Sequence, residues 1–203
     1  GTPDQNLILI DETPVYNISH LFGLVSVFNP DAIKNVTLYK SSFPARYGGR
    51  LSSVIDIVTK EGSSKKRNLE IGIGLINSRF LYEGPINRKA KNPINFFVSA
   101  RVSNLSLLLL PSYFAYTNNS GGQYFNYNLY DLNFKLNKQF KDKSQLFFST
   151  YTGNDVWYVK SKEGATSISK ASLKWGNITS SLRYINPLTQ KLFFKGTAAY
   201  TQY

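Results

Sequence analysis

The sequence predicts a mostly β chain in two parts. A small α+β unit covers residues 1–62, and from residue 69 to 203 run about seven antiparallel strands of a transmembrane β-barrel, incomplete at this length. Three observations predict it. Beyond residue 68 hydrophobicity alternates with a period of two. The alternating runs are about 9 to 16 residues long, against roughly 5 to 6 for an ordinary globular strand. Their connections alternate broadly between short basic turns and long polar loops, the asymmetry of a barrel wall with turns on one side of a bilayer and loops on the other. The physical cause is the hydrocarbon, which hydrates no free N–H or C=O, so that a β structure crossing it must close on itself. A soluble β-sandwich also alternates and is the competing architecture. Strand length and the asymmetry of the connections speak against it.

In chain order, Gln5–Asp11 is a short apolar strand ending in an acidic residue, and Glu12-Thr13-Pro14 turns the chain. His20–Leu24 is a loop or a helical turn. Asn29 caps a brief helix with Pro30 at its first position. Asn35–Lys40 is a second strand. Tyr47-Gly48-Gly49 supplies residues that accept positive φ and feeds the β-branched run Val54–Thr59, a third strand. The polar, charged, glycine-bearing stretch Lys60–Arg67 marks a linker, placed at residues 63–68. A unit of this size has little core of its own.

After the linker, Leu69, Ile71, Ile73 and Leu75 alternate with Glu70, Gly72 and Gly74. Phe80 and Tyr82 oppose Arg79, Leu81 and Glu83. Ile94, Phe96, Val98, Ala100 and Val102 oppose Asn95, Phe97, Ser99 and Arg101. Residues 103–126 read as a long uncharged loop. Tyr130, Leu132, Phe134 and Leu136 then oppose Asp131, Asn133, Lys135 and Asn137. A fifth strand spans Leu146–Gly153, and residues 154–169 read as a second long loop. Ile178, Leu182 and Tyr184 oppose Asn177, Thr179, Ser181 and Arg183, and Leu192, Phe194, Ala198 and Tyr200 oppose Lys191, Lys195, Thr197 and Thr201.

Composition excludes several chemistries. The chain has no Cys, hence no disulfide framework, thiolate metal site or cysteine nucleophile. His20 is the only histidine, which argues against a multi-histidine metal centre and is read as a satisfied or exposed side chain. Gly72-Ile73-Gly74 has no third glycine and no following helix, so it is no dinucleotide fingerprint. No carboxylate pair has catalytic spacing; no enzyme, metal or cofactor is expected. The net charge of +12 raises nucleic-acid binding as an alternative. The cations gather in turns (Lys65-Lys66-Arg67, Arg88–Lys91, Lys138–Lys143), without a basic helix or an aromatic RNA-binding signature, so no nucleic-acid partner is expected. No apolar run approaches the roughly 18 residues of a membrane helix.

The stretches DQNLILIDETPVYN (Asp4–Asn17), FNPDAIKNVTLY (Phe28–Tyr39) and YGG…IDIVTK (Tyr47-Gly48-Gly49, then Ile55–Lys60) resemble, in that order, the plug domain of TonB-dependent outer-membrane receptors, Bacteroidota type above all. Gly84-Pro85-Ile86 and Tyr130–Asn133 resemble the early barrel strands of that family. Glu12 stands where the family usually has Gly, and nothing resembles a TonB box, so the chain is expected to be an internal fragment: the C-terminal part of a plug and the first strands of the barrel.

The resemblance implies energised import of a nutrient (siderophore, glycan, peptide or vitamin) across the outer membrane of a Gram-negative bacterium. The implied partners are TonB, acting through a plug segment missing here, outer-membrane lipids, a small extracellular ligand, and in some such systems a surface lipoprotein lid. Asp11, Arg46, Tyr47, Gly48 and Gly49 are the implied structural residues of the plug. A buried Arg46 needs a carboxylate or carbonyl partner, with Asp56 and Glu70 as candidates; a solvated Arg46 in a water-filled lumen is the other reading. The uncharged loop with Tyr113, Phe114, Tyr116, Tyr124 and Tyr127 has the composition of an adaptable ligand-recognition surface, or of aromatics that pack among themselves or form an interfacial girdle. A secreted β-sandwich adhesin is the alternative.

Overall fold

The computed structural model describes residues 5–16, 19–20, 25–26, 28–40, 44–49, 52–118, 122–163 and 167–203. The chain is mostly β and forms two principal sheets. The smaller has four strands in the order β2-β1-β6-β5: β1 (Asn6–Ile10), β2 (Thr13–Pro14), β5 (Ile33–Lys40) and β6 (Ser53–Thr59). A two-strand ladder, β3 (Ser19–His20) with β4 (Val25–Ser26), stands beside it. Of the loop expected over 20–24, residues 21–24 lie outside the described residues.

β1 runs parallel to β6 and antiparallel to β2. Ile10 pairs with Thr13, so Asp11 and Glu12 form a two-residue hairpin loop. Both take positive φ, 47° and 70°, the geometry of a type I′ turn, which favours Asn or Asp followed by Gly. The expected brief helix is a single 3-10 turn, Pro30–Ala32, whose cap Asn29 accepts from the Asp31 N–H. Gly49 takes φ +80°, which suits its place after Tyr47.

Residues 60–67 lead into a seven-stranded antiparallel meander, each strand pairing with the next: β7 (Asn68–Ile73), β8 (Asn77–Pro85), β9 (Ile94–Ser103), β10 (Gly122–Gln139), β11 (Gln145–Glu163), β12 (Ser167–Pro187) and β13 (Phe193–Gln202). It does not close: β7 and β13 are its two edges. β10, β11 and β12 are 18, 19 and 21 residues long, about three times the usual strand.

Two sequence expectations need correction here. Of the long loop expected over residues 154–169, 154–163 and 167–169 are instead paired strand of the β11–β12 hairpin, whose register runs from Gln145–Ile185 up to Glu163–Ser167, and 164–166 lie outside the described residues. Lysine-rich alternation reads as a solvated loop, yet Val156, Trp157, Tyr158 and Val159 are strand formers. Residues 103–126 hold two short helices, α1 (Leu105–Leu108) and α2 (Leu110–Asn118), and the start of β10, while 119–121 lie outside the described residues. Pro111 is tolerated there because it falls in the first turn of α2, where its missing N–H costs no helical bond.

The strand faces follow the alternation read from the sequence. One face of the meander carries Leu81, Phe97, Ser99, Arg101, Asp131, Asn133, Lys135, Ser149, Tyr151, Asn177, Thr179 and Ser181, all buried beneath the small sheet. The other carries Ile71, Phe80, Val102, Leu132, Phe148, Ile178, Leu182, Phe194 and Tyr200, all exposed. Register aligns them in rows, such as Phe80–Ala100–Leu132–Thr152–Ile178 and Phe96–Leu136–Phe148–Leu182–Ala198. The distribution inverts that of a water-soluble domain, where large apolar side chains gather inside and charged ones stay out unless paired. The apolar clusters are correspondingly small: Ile10, Val15 and Tyr151; Leu9, Tyr47 and Val54; Ala32, Leu81 and Phe97.

Candidate functional site

The contact between the small sheet and the inner face of the meander is a polar seam with three charged centres. The first is built around His20, 1% exposed. Its Nε2 lies 2.7 Å from Asp131 Oδ1 and its Nδ1 2.8 Å from Asp155 Oδ2. Asp131 also accepts from Arg101 (Nε 2.7 Å, Nη2 2.5 Å) and from the Tyr151 hydroxyl at 3.0 Å. Asp155 accepts from the Tyr127 hydroxyl. Arg101 Nη2 reaches back to the Ser26 carbonyl at 2.7 Å, so β3 and β4 are clamped to β9, β10 and β11. Burial opposes a charge on the imidazole, but the hydrogen bonds and charges of both aspartates outweigh it and lift the pKa to about 9. At neutral pH His20 is an imidazolium donating from both nitrogens, which satisfies two buried carboxylates.

The second centre ties the first hairpin to β10. Lys135 Nζ donates to Asp11 Oδ1 at 2.7 Å, to the Thr59 carbonyl at 3.2 Å and to Thr59 Oγ1 at 3.1 Å. Asp11 also accepts from the Thr59 N–H and hydroxyl. A fully buried lysine is tolerated only when its donors are filled. The third centre is Glu12, which takes Lys195, the Thr197 hydroxyl at 3.0 Å and Arg183 at 3.6 Å. Burial raises its pKa, and the Lys195 contact together with Thr197 and Arg183 brings it below the ordinary glutamate value. Smaller links complete the seam, among them Asn29 to Ser99, Thr201 to the Pro14 carbonyl and Asp31 to Arg79.

Asp11 is thus in the seam. Arg46, for which the sequence left a buried and a solvated place open, is exposed. Its neighbour Tyr47 turns inward instead, onto Leu9 and Val54. The Arg46 guanidinium donates to the Tyr47 hydroxyl at 2.6 Å, which donates to Asp56 Oδ2 at 2.8 Å. Asp56 is therefore reached through tyrosine, and Glu70 accepts from Asn68 instead. Burial and the Asp56 carboxylate push the Tyr47 phenol up to about 12. Gly48 and Gly49 are exposed beside it.

The five aromatics expected in one loop divide between two elements. Tyr113, Phe114 and Tyr116 are on α2, and Tyr124 and Tyr127 are on β10. Tyr113 and Tyr116 stack near Tyr124, with centroids 5.1 and 6.1 Å apart. Tyr127 is on the inner face, 6.2 Å from the Trp175 ring. Only Tyr113 and Phe114 are exposed.

Sequence reasoning missed the partners of His20 and the roles of Arg101 and Asp155. Asp131 and Arg101 were placed on the polar face, and that alternation was the one available signal. Among the described residues no group of three or more His, Cys, Asp or Glu side chains is arranged to hold a metal ion. Compared with models of protein families, with curated proteins and with solved structures, the chain matches none.

Proposed function

We propose that the chain is a plug segment with the first seven wall strands of a TonB-dependent outer-membrane transporter, a plugged β-barrel that imports a nutrient. The observation that carries the reading is the inverted meander. Its inner face is polar, charged and covered by the small domain. On β8 to β13 its outer face is uncharged and largely apolar over about nine residues, the span of a tilted membrane strand. The outward residues of that band carry no charge on any of the seven strands. Aromatics border it, with Phe96, Tyr184 and Phe194 towards the short turns and Tyr130 at the far end, as in an interfacial girdle.

The polar seam gives the small domain its role. Charged links hold a plug in a lumen while leaving its release reversible, because they are bonds that water can replace. The reading requires further strands to pair with β7 and β13, since a bilayer tolerates no free strand edge. The adhesin alternative would need a second sheet over Leu132, Phe148 and Leu182, and those side chains are exposed.

The test is fractionation of a Gram-negative host expressing the protein. Recovery in the outer-membrane fraction, resistant to alkaline extraction, is expected; recovery as a soluble periplasmic monomer would refute the reading. Import itself is tested by uptake of labelled siderophores, glycans, peptides and vitamins with and without TonB, and accumulation independent of TonB would remove the energised mechanism.

A further inference from the structure

On β11 and β12 the outward face continues past the apolar band to the hairpin tip. There it presents Lys160, Lys162, Lys170 and Lys174. Register places Lys160 directly opposite Lys170, and Lys174 lies four residues along from Lys170 on the same face. Like charges directly opposite each other on a sheet are destabilising. Lys162 is engaged: its Nζ donates to the Tyr116 and Thr117 carbonyls at the end of α2 and lies 4.8 Å from the centre of the Tyr116 ring. Lys160 stands 5.2 Å from the Tyr158 ring centre. No Asp or Glu shares this outward face of the hairpin among the described residues.

The helices lie on the same side. Ser106 donates to Asn126 and Asn128, and Tyr113 and Tyr116 meet Tyr124, all outward residues of β10. α1 and α2 therefore rest on the outer surface just beyond the apolar band, uncharged, with Leu107, Leu108, Leu110 and Phe114 exposed. A short apolar helix pair at that height matches the boundary between acyl chains and headgroups.

We infer that this patch is a seat for anionic phospholipid. Lys160, Lys170 and Lys174 receive headgroup phosphates, and Leu107, Leu108, Leu110 and Phe114 lie against the upper acyl chains. An anion bridging Lys160 and Lys170 removes the repulsion that the register builds in. The inference rests on the membrane reading, because the patch is continuous with the apolar band.

The experiment uses the intact chain in detergent micelles, titrated with phosphatidylglycerol and with phosphatidylcholine, together with flotation on pure phosphatidylcholine vesicles. Phosphatidylglycerol is expected to bind in preference to phosphatidylcholine. The combined Lys160→Ser, Lys170→Ser, Lys174→Ser variant is expected to lose roughly a hundredfold of that affinity, about fivefold per lysine. A variant with the same charge loss on the small domain, Lys34→Ser, Lys40→Ser, Lys60→Ser, should keep it. Equal loss in both variants, no preference between the lipids, or equally tight binding of inorganic phosphate alone overturns the inference. Flotation separates the two readings. A chain that floats on phosphatidylcholine without any phosphatidylglycerol preference keeps the membrane reading and loses the lipid seat; a chain that does not float loses both.

Discussion

Raising the pH should loosen the small domain through one side chain. His20 donates to Asp131 and Asp155 and sits among Arg101, Tyr127 and Tyr151. Its pKa in the folded chain is about 9, against 6.5 for the free side chain. A group whose folded pKa is raised contributes stability that is full below the unfolded value and lost as pH climbs through the folded one. At 1.36 kcal/mol per unit, the difference amounts to about 3 kcal/mol, present at pH 6 and fading between about pH 7 and 10. The assay is urea unfolding in detergent, followed by tryptophan fluorescence from Trp157 and from Trp175 near the Tyr127 ring, for the wild type and His20→Gln across pH 6–10. Subtracting the variant cancels the other groups that titrate in this range. The difference should be about 3 kcal/mol at pH 6 and close to zero at pH 10. A variant as stable as the wild type at pH 6, or a difference that does not change with pH, would refute a charged His20 between two carboxylates.

The other centres give further expectations. Lys135→Ala should cost about 3–5 kcal/mol, because it strands the buried Asp11 carboxylate, while the Lys135→Met, Asp11→Leu pair should recover much of that loss; a double-mutant cycle on urea midpoints measures both. At the φ +70° position of the first hairpin, Glu12→Gly should be less destabilising than Glu12→Ala by about 1 kcal/mol, since both lose Lys195 and only glycine relieves the backbone. Gly62→Ala should cost more than about 2 kcal/mol, because Gly62 takes φ +81° and an added Cβ would run into the Phe96 carbonyl; thermal melts of the two proteins decide it.

The faces of the strands were legible because the meander buries a polar side under the small sheet and leaves an apolar side exposed, so neighbouring residues alternate in polarity. Tyr130 through Asn137 could be assigned side by side from alternation alone. The same logic fails beyond the apolar band. On the β11–β12 tip both faces are polar or mixed, so Lys160 and Lys162 give no contrast and read as loop. The segment Leu105–Asn118 has no charged residue to mark a helix face, and its one marker, Asn104 at the cap position of α1, makes no side-chain capping bond. The type I′ turn was half visible, in that Glu12 departs from the glycine expected there, but the price of that departure only becomes plain with Lys195 and Arg183 beside it. The His20 centre was not legible at all. Its carboxylates lie 111 and 135 residues away, and no local spacing encodes a contact made by docking one sheet on another.

The most direct test of the central claim uses the absence of cysteine from the chain. Single cysteines at Leu132, Phe134, Phe148 and Leu182, and at the inward Asn133, Thr179 and Ser181, are spin-labelled after reconstitution into vesicles and probed with oxygen and with a water-soluble nickel chelate. The four outward labels should be relaxed strongly by oxygen and hardly by nickel, and the three inward labels should be shielded from both. Outward labels open to nickel as freely as any water-exposed site would contradict a hydrocarbon-facing wall.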